Sequence, residues 1–134
     1  MRNTFELRVV TPRSLLLEET VREVTGPGTL GEFGVLPEHI TFLTSLECGV
    51  LRFRTDSGER RVALRGGFAE VVDDVMTVLA DEAVFVEDID VAAAQADLQT
   101  AETQLRGLSP ADTGYAAAET NRRWAATRIG AAGR

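Results

Sequence analysis

The stretch Val50-Leu-Arg-Phe-Arg-Thr-Asp-Ser-Gly58-Glu-Arg-Arg-Val-Ala-Leu-Arg65 establishes the structural class of the N-terminal part of the chain. Apolar and charged residues alternate before Asp56, and a second apolar segment follows Gly58. A period of two residues is typical of a strand with one buried face. The short polar segment between the two apolar segments, with glycine supplying the turn, predicts a β-hairpin.

Further strand-like segments lie on both sides of this hairpin. They are Phe5–Val10, Leu15–Val24, His39–Leu46, Phe68–Val72, Val75–Leu79 and Ala83–Val86. Turn residues separate them, and Glu47–Gly49 and Gly66–Gly67 are interpreted as breaks between strands. About eight to ten short strands with such frequent turns predict an all-β sandwich or barrel.

The segment Gly26–His39 contains four of the twelve glycines, two of the four prolines and the only histidine. Its first six residues match the G-x-G-x-x-G pattern of dinucleotide-binding loops. That function requires a helix to begin at the glycines, so that its N-terminal amides meet the phosphates. A glycine and a proline within Glu32–Pro37 exclude this helix. We therefore predict a structured surface loop that presents apolar side chains for contact.

The residue composition changes near residue 88. Valine, phenylalanine and glycine dominate before it, whereas alanine, glutamine and threonine dominate after it. We place a domain boundary there, with a β-sandwich domain at residues 1–88 and a helical domain at residues 89–134. The predicted fold class is α+β and mainly β.

Two helices are predicted after this boundary. Apolar residues recur at three- and four-residue intervals from Val91 to Leu108, with Asp90 as the N-cap and Gly107 as the end. Ser109-Pro110 predicts the start of a second helix that ends at Gly130. Helices joined so closely are expected to form an antiparallel hairpin. Alanine dominates their facing surfaces and buries little area, so we expect the hairpin to be weakly held and able to move.

Charge and composition exclude several classes of protein. The net charge of −7 and the pI of about 4.7 argue against nucleic acid as the main partner. Cys48 is the only cysteine, so no internal disulfide can form. No apolar run approaches the length of a transmembrane helix or of a signal-peptide core, which predicts no direct membrane insertion.

No constellation of catalytic or metal-binding residues is recognisable. Acidic pairs such as Asp73-Asp74 are interpreted as turn or edge residues rather than as catalytic pairs. His39 has no second histidine near it to complete a metal site. We predict no catalytic residue and no bound metal.

The predicted second helix is locally basic within an acidic chain. Arg122, Arg123 and Arg128 stand against a single acidic residue, Glu119. This pattern is compatible with a solvated helix face. It is also compatible with a basic helix that docks on an acidic surface of a partner.

The order of these motifs resembles the epsilon subunit of F-type ATP synthases over essentially the whole chain. The motifs are Leu7–Pro12, Gly31–His39, Leu43–Leu46 with Gly49, Gly66–Val71, Val75–Ala80 and Ile89-Asp90, followed by the alanine-rich hairpin. The resemblance implies a non-catalytic subunit of the rotating central stalk in a proton- or sodium-translocating synthase. It implies a peripheral location on the cytoplasmic face of the cell inner membrane.

The resemblance also implies three interaction sites. By their positions in the motif, Leu30, Gly31 and Glu32 are expected to face the ring of c subunits. His39 and the region of Phe42 and Leu43 are expected to face the gamma subunit. The three arginines of the second helix are expected to meet an acidic segment of the catalytic beta subunit and to inhibit ATP hydrolysis.

One departure from the family pattern concerns nucleotide binding. Some relatives bind a regulatory ATP through Ile/Leu-Asp-x-x-Arg-Ala. This chain has Ile89 and Asp90, but Ala93 occupies the arginine position, so a charge that could pair with phosphate is missing. We expect weak or no ATP binding and no cofactor. The alternative function is a small ligand-binding β-sandwich, or an enzyme, with a helical tail.

Overall fold

The computed structural model describes residues 3–133, and the chain divides into two compact units after Phe85. The strands of the first unit are β1 (Phe5–Val10), β2 (Leu15–Val21), β3 (Glu23–Gly28), β4 (Gly31–Val35), β5 (Phe42–Thr55), β6 (Gly58–Val72), β7 (Val75–Ala80) and β8 (Ala83–Phe85). The second unit contains a 3₁₀ turn (Val86–Asp88) and the helices α1 (Val91–Arg106) and α2 (Tyr115–Ala132). The predicted combination of a β-sandwich with a two-helix hairpin is confirmed.

Hydrogen bonds connect the strands in the order β2-β1-β7-β6-β5-β3-β4, and β8 pairs with β6. All neighbours are antiparallel except β1 and β7, which run parallel. The far edge of β6 pairs with β8 through Val62–Leu64 and with β7 through Gly67–Val72. The long β5–β6 hairpin therefore links all the other strands into one sheet, which folds over to form the sandwich.

The inward-facing positions of this hairpin change halfway along it. In β6, Val62 and Leu64 are buried near the start, whereas Ala69 and Val71 are buried near the end. In β5, Leu46 is buried in the first half, and the odd-numbered Leu51 and Phe53 are buried in the second. Successive side chains of a strand point to opposite faces, so both strands must contain an irregularity between these positions.

Glycines occupy this irregularity, which corrects one sequence prediction. The predicted breaks at Glu47–Gly49 and Gly66–Gly67 do not end the strands, since β5 and β6 run through both. Gly66 and Gly67 have φ values of 63° and 121°, which favour glycine. A Cβ atom at Gly49 would lie 2.6 Å from the ring of Pro27, so this glycine permits close approach rather than a turn.

The glycine-rich segment also differs from its prediction. Residues 26–35 belong to the β3–β4 hairpin rather than to a loop, and Gly28 pairs with Gly31 across a two-residue turn, whereas residues 36–39 lie outside the strands as predicted. A Cβ atom at Gly26 would lie 2.6 Å from the ring of Phe33, which packs against the core. The glycines therefore make room for an aromatic ring on the opposite strand.

One apolar core fills the first unit. Its members include Leu7, Leu51, Val62 and Met76, each fully shielded from solvent. These four residues lie on β1, β5, β6 and β7, and the buried Val21 of β2 and Val35 of β4 extend the core to both ends of the sheet order. Burial of this apolar area is the main source of stability for the sandwich.

Helix α1 begins and ends where the sequence predicts. The side chain of Asp90 accepts a hydrogen bond from the backbone N–H of Ala93, with an N···O distance of 3.0 Å. Gly107 is the C-cap residue. These caps satisfy backbone groups that a helix terminus otherwise leaves unpaired.

The predicted bounds of helix α2 were wrong at both ends. Ser109-Pro110 does not start the helix, because the backbone N–H of Ser109 donates to the carboxylate of Asp112 (2.8 Å) and closes a separate turn. The helix begins after Gly114, which has a φ of 91°. It continues through Gly130 and is capped by Gly133. The predicted alanine-rich seam is present, with five buried alanines: Ala94 and Ala101 on α1, and Ala118, Ala125 and Ala131 on α2. Trp124 of α2 is also buried.

The bend in β6 generates a prediction for Gly67. A Cβ atom there would overlap the carbonyl oxygen of Leu79 and lie 2.8 Å from the Cα of Ala80. Gly58 also has a positive φ, 125°, but a Cβ atom there meets nothing within 4 Å. We expect Gly67→Ala to reduce the free energy of unfolding by about 1–3 kcal/mol more than Gly58→Ala, which carries only the backbone strain. Equal losses in urea unfolding of the two variants would contradict the structural role assigned to Gly67.

Candidate interaction surfaces

The turn of the β3–β4 hairpin projects a single apolar side chain into solvent. Leu30 is 99% exposed at its tip. The preceding Thr29 is fastened to β5, because its N–H donates to the carbonyl of Ser45 (3.1 Å) and the two hydroxyls lie 2.6 Å apart. The tip is therefore a fixed projection from the sheet.

The sequence-predicted residues Leu30, Gly31 and Glu32 lie together at this tip. Gly31 follows Leu30 with a φ of 123°. The carboxylate of Glu32 pairs with the guanidinium of Arg52 on β5, at 3.3 Å, and both side chains are largely exposed. A partner that contacts this tip meets an apolar side chain beside an exposed ion pair.

Aromatic contacts organise the chain that follows β4. The ring of His39 meets the edge of Phe42 at a centroid distance of 5.6 Å, and Phe42 lies 5.3 Å from Phe33. The backbone N–H of Glu38, with a φ of 63°, donates to the carboxylate of Asp74 in the β6–β7 turn (2.7 Å). Leu36 and Ile40 remain 58% and 79% exposed.

The three residues predicted to contact the gamma subunit do not share one face. His39 and Phe42 are brought together, and Phe42 packs against the core. Leu43 is the next residue along β5, so it points to the opposite face, where it is 70% exposed. Among these three residues, Leu43 therefore offers the largest apolar surface to a partner.

An apolar row crosses the outer face of the sheet, and the sequence analysis did not identify it. The strand register aligns Leu15, Val10, Leu79 and Phe68 on four neighbouring strands. Leu15, Leu79 and Phe68 are each exposed by more than half. We call these four residues the outer apolar row. The available signal was β7, where apolar residues occupy positions on both faces of the strand.

The outer apolar row has polar residues along one side. The next set of paired residues on the outer face of the same four strands is Glu18, Arg8, Thr77 and Glu70. Within this set, Arg8 and Glu18 form an ion pair at 3.0 Å. Leu43 pairs with Glu70 and is the diagonal neighbour of Phe68. Side chains in this diagonal relation are within reach of each other. A large exposed apolar patch with a polar border is typical of a protein-binding surface.

Helix α2 carries the second candidate surface. The carboxylate of Glu119 accepts hydrogen bonds from Arg122 (Nε–Oε2, 3.0 Å) and Arg123 (Nε–Oε1, 3.2 Å). The pKa of Glu119 falls from its usual 4.5 to about 2. The hydrogen bond from Arg122 is the main cause, partial desolvation opposes it, and Arg123 adds to the lowering. The same contact raises the pKa of Arg122.

The third arginine of α2 is held differently. The guanidinium of Arg128 pairs with Asp97 on α1 at 2.9 Å and lies 5.1 Å from the ring centre of Trp124. Its side chain is only 14% exposed, compared with 38% for Arg122 and 55% for Arg123. Arg128 therefore connects the two helices, whereas Arg122 and Arg123 are paired within α2.

The residues of the Ile89-Asp90 motif lie at the start of α1. The carboxylate of Asp90 is used as the cap of α1. Ala93 supplies the N–H for that cap and carries no charge. Within residues 3–133 no three histidine, cysteine, aspartate or glutamate side chains are grouped closely enough to hold a metal ion.

A β-sandwich with an exposed apolar row, followed by a helical hairpin whose second helix is locally basic, is the architecture of a small protein-binding subunit. Residues 4–86 match the family described as the ATP synthase delta/epsilon chain β-sandwich domain, and residues 87–133 match its long α-helix domain. The chain belongs to the ATP synthase epsilon chain family, whose members are non-catalytic subunits of the central stalk. The family suggested by the sequence motifs is thereby confirmed.

Curated relatives match the chain over its full length. The ATP synthase epsilon chain of Citrifermentans bemidjiense is 42% identical over 134 residues, covering all of this chain and 97% of the relative. The epsilon chain of Geobacter sulfurreducens is 40% identical with the same coverage. These matches set aside the alternative of an unrelated ligand-binding protein or enzyme.

Solved structures show the same architecture. A chain in the Euglena gracilis mitochondrial ATP synthase, in a structure of OSCP, F1 and the c-ring, superposes with a TM-score of 0.81 and 25% identity, covering 98% of this chain and 82% of that one. A chain of the Tetrahymena thermophila mitochondrial ATP synthase central stalk and c-ring shares the fold, with a TM-score of 0.61, 15% identity and 95% coverage of both chains. The chain is thus a subunit of a membrane-associated complex, and none of its helices in residues 3–133 is long and apolar enough to cross a bilayer.

The lowered pKa of Glu119 predicts a pH dependence of α2. Because the folded-state pKa lies below the unfolded value, ionised Glu119 stabilises α2 fully above about pH 4.5, and this contribution is lost as the pH falls towards 2. We expect circular dichroism of the wild type to show loss of helix over this range. The Glu119→Gln variant should lose less helix over the same range, because it already lacks the ionised carboxylate at neutral pH. Glu102→Gln removes a carboxylate of α1 that acts on Arg122 through its charge alone, and it serves as the control for the Glu119 hydrogen bonds. Identical pH profiles for the wild type and Glu119→Gln would contradict this role.

Proposed function

We propose that this subunit connects the gamma subunit to the c-ring of a proton- or sodium-translocating F-type ATP synthase, on the cytoplasmic face of the cell inner membrane. The outer apolar row is the observation that carries this proposal. It offers an exposed apolar surface across four adjacent strands, whose spacing gives it a length of about 15 Å. Such a surface on a stalk subunit needs a protein partner to cover it.

The gamma subunit is the proposed occupant of the outer apolar row. Leu43 borders the row and extends it onto β5. His39 and Phe42, on the other side of β5, contribute mainly by fixing the path of the chain that leads to Leu43. Burial of the exposed leucine and phenylalanine side chains supplies the affinity, and the Arg8–Glu18 ion pair beside them contributes little.

The tip of the β3–β4 hairpin is the proposed contact with the c-ring. Leu30 is almost completely exposed, and the Thr29–Ser45 hydrogen bonds hold it in a defined position. A fixed tip avoids the entropic cost of ordering a loop on binding. The exposed ion pair of Glu32 with Arg52 suits contact with polar loops.

Helix α2 is the proposed inhibitor of ATP hydrolysis, acting on an acidic segment of the catalytic beta subunit. Its three paired arginines give it a basic surface, and the seam that holds it to α1 consists largely of alanine. The alanines bury little area, so Trp124, which is 6% exposed, provides most of the apolar area that α2 buries. We further propose that no regulatory ATP or other cofactor is bound, since Asp90 caps α1 and Ala93 lacks a charge.

The gamma-binding proposal is tested by placing a charge in the outer apolar row. We expect Phe68→Asp to weaken binding to the gamma subunit by about tenfold to a hundredfold, because a buried interface would then contain an unpaired carboxylate. Affinity is measured by calorimetry with purified gamma subunit. Wild-type affinity in this variant would remove the row from the interface.

Leu30→Asp is the matched control for this experiment. It places the same charge on an exposed apolar residue at the hairpin tip, outside the outer apolar row. We expect it to bind the gamma subunit normally and to reduce ion-coupled activity of the assembled synthase. The same loss of gamma binding in both variants would point to a general effect of the added charge.

The inhibitory role is tested by removing residues 109–134. We expect the assembled complex with the shortened subunit to hydrolyse ATP several-fold faster than the wild-type complex, because α2 is then absent. Steady-state ATPase assays on complexes of equal subunit content measure this. An unchanged rate would exclude inhibition by α2 and would leave the stalk function intact.

A further inference from the structure

Each arginine of α2 is paired with a carboxylate, but the two kinds of pair behave differently when the helices separate. Glu119 lies on α2 itself and remains beside Arg122 and Arg123 wherever α2 moves. Asp97 lies on α1, so its bond to Arg128 breaks when α2 leaves α1. Separation of the hairpin therefore breaks the Asp97–Arg128 ion pair and leaves the ion pairs with Glu119 in place.

Several contacts hold Arg128 in the closed hairpin. Its Nη2 atom pairs with Asp97 at 2.9 Å, and its Nε atom donates to the backbone carbonyl of Trp124 at 3.4 Å. The guanidinium also lies over the ring of Trp124, at 5.1 Å from the ring centre. Trp124 precedes Arg128 by one helical turn on α2, so these two side chains move together.

We propose that the Asp97–Arg128 ion pair is a latch that keeps the hairpin closed and masks the residue by which α2 binds an acidic partner. This inference rests on the inhibitory role proposed above and names how that role is regulated. Asp97 occupies Arg128 in the closed hairpin, and an acidic segment of the partner replaces Asp97 when the hairpin opens. Arg128 is thus an exchange point between an internal and an external carboxylate.

The buried residues of the hairpin determine how much this ion pair contributes to the closed state. The fully buried residues between α1 and α2 include Ala94, Ala101 and Ala125, which contribute little apolar area. Trp124, which is only 6% exposed, buries most of the apolar area on α2, and the Asp97–Arg128 ion pair adds to what favours the closed state. Removing it should raise the population of open hairpins roughly twofold to fivefold, the range expected of an ion pair near the surface.

The latch is tested in the isolated subunit by following Trp124, the only tryptophan of the chain. We expect Asp97→Asn to make Trp124 more accessible to acrylamide quenching, because its neighbour Arg128 is released. High salt should also increase quenching of Trp124 in the wild type, because it screens the ion pair, and should change quenching little in Asp97→Asn. Arg106→Gln, which removes an exposed charge held within α1 by Thr103, should behave as the wild type. Equal quenching and equal salt response in all three proteins would overturn the latch.

The exchange of partners is tested in the assembled complex. We expect Asp97→Asn to reduce ATP hydrolysis roughly twofold to fivefold, because more subunits present Arg128 to the partner. Arg128→Gln should open the hairpin in the quenching assay without this increase in inhibition, since the binding residue is lost. Inhibition by Arg128→Gln as strong as that by Asp97→Asn would overturn the docking role of Arg128.

The two assays separate this inference from the function on which it depends. If removal of residues 109–134 leaves hydrolysis unchanged, the inhibitory function fails. The quenching experiment still tests whether the Asp97–Arg128 pair keeps the hairpin closed. If that removal activates the enzyme but Asp97→Asn behaves as the wild type in both assays, the latch fails and the inhibitory function stands.

The double charge exchange Asp97→Arg with Arg128→Asp should restore the closed hairpin and remain unable to inhibit. A double variant that quenches like Asp97→Asn would contradict a direct ion pair.

Discussion

The continuous pairing of β5 with β6 is the interaction on which the first unit depends. The register holds from Phe42–Val71 to Thr55–Gly58, and every other strand joins the sheet through one of these two. Halfway along both strands the set of side chains that points into the core changes, and glycines occupy the irregularity that makes this change possible. Gly67 lies against the backbone of β7, and Gly49 lies against the ring of Pro27. The outer apolar row and the β3–β4 tip are therefore positioned by two strands and their few glycines.

Local chemistry was sufficient to predict much of this structure. The Val50–Arg65 hairpin and the cap of α1 at Asp90 were correctly predicted, because alternation and capping act over a few residues. Glycine was the main source of error. Gly49 permits close approach of another segment, and Gly66 and Gly67 permit a bend within a strand. In the sequence these glycines cannot be distinguished from glycines that form a turn. The early start predicted for α2 at Ser109 failed because the Asp112 carboxylate closes a separate turn there.

The candidate surfaces were predictable only in part. The residues Leu30–Glu32 are adjacent in sequence and form the tip of one hairpin, so their proximity followed directly from the motif. The outer apolar row joins residues from four strands, and its existence depends on the parallel register of β1 with β7, which no local pattern specifies. The partner of Arg128 could not be foreseen either, because it depends on the relative rotation of two helices. Where sequence reasoning proposed three equivalent arginines, the structure distinguishes one from the other two.

The pinned tip of the β3–β4 hairpin has a mechanical consequence. A sideways force on Leu30 reaches β5 through the Thr29–Ser45 hydrogen bonds as well as along β3. From β5 the load is distributed over the many hydrogen bonds shared with β6, which are strained together rather than broken in sequence. A turn without the Thr29–Ser45 link would bend first and absorb the displacement as elastic deflection. This tip is instead built as a stiff lever, so torque applied to it is delivered to the body of the sandwich with little lost motion.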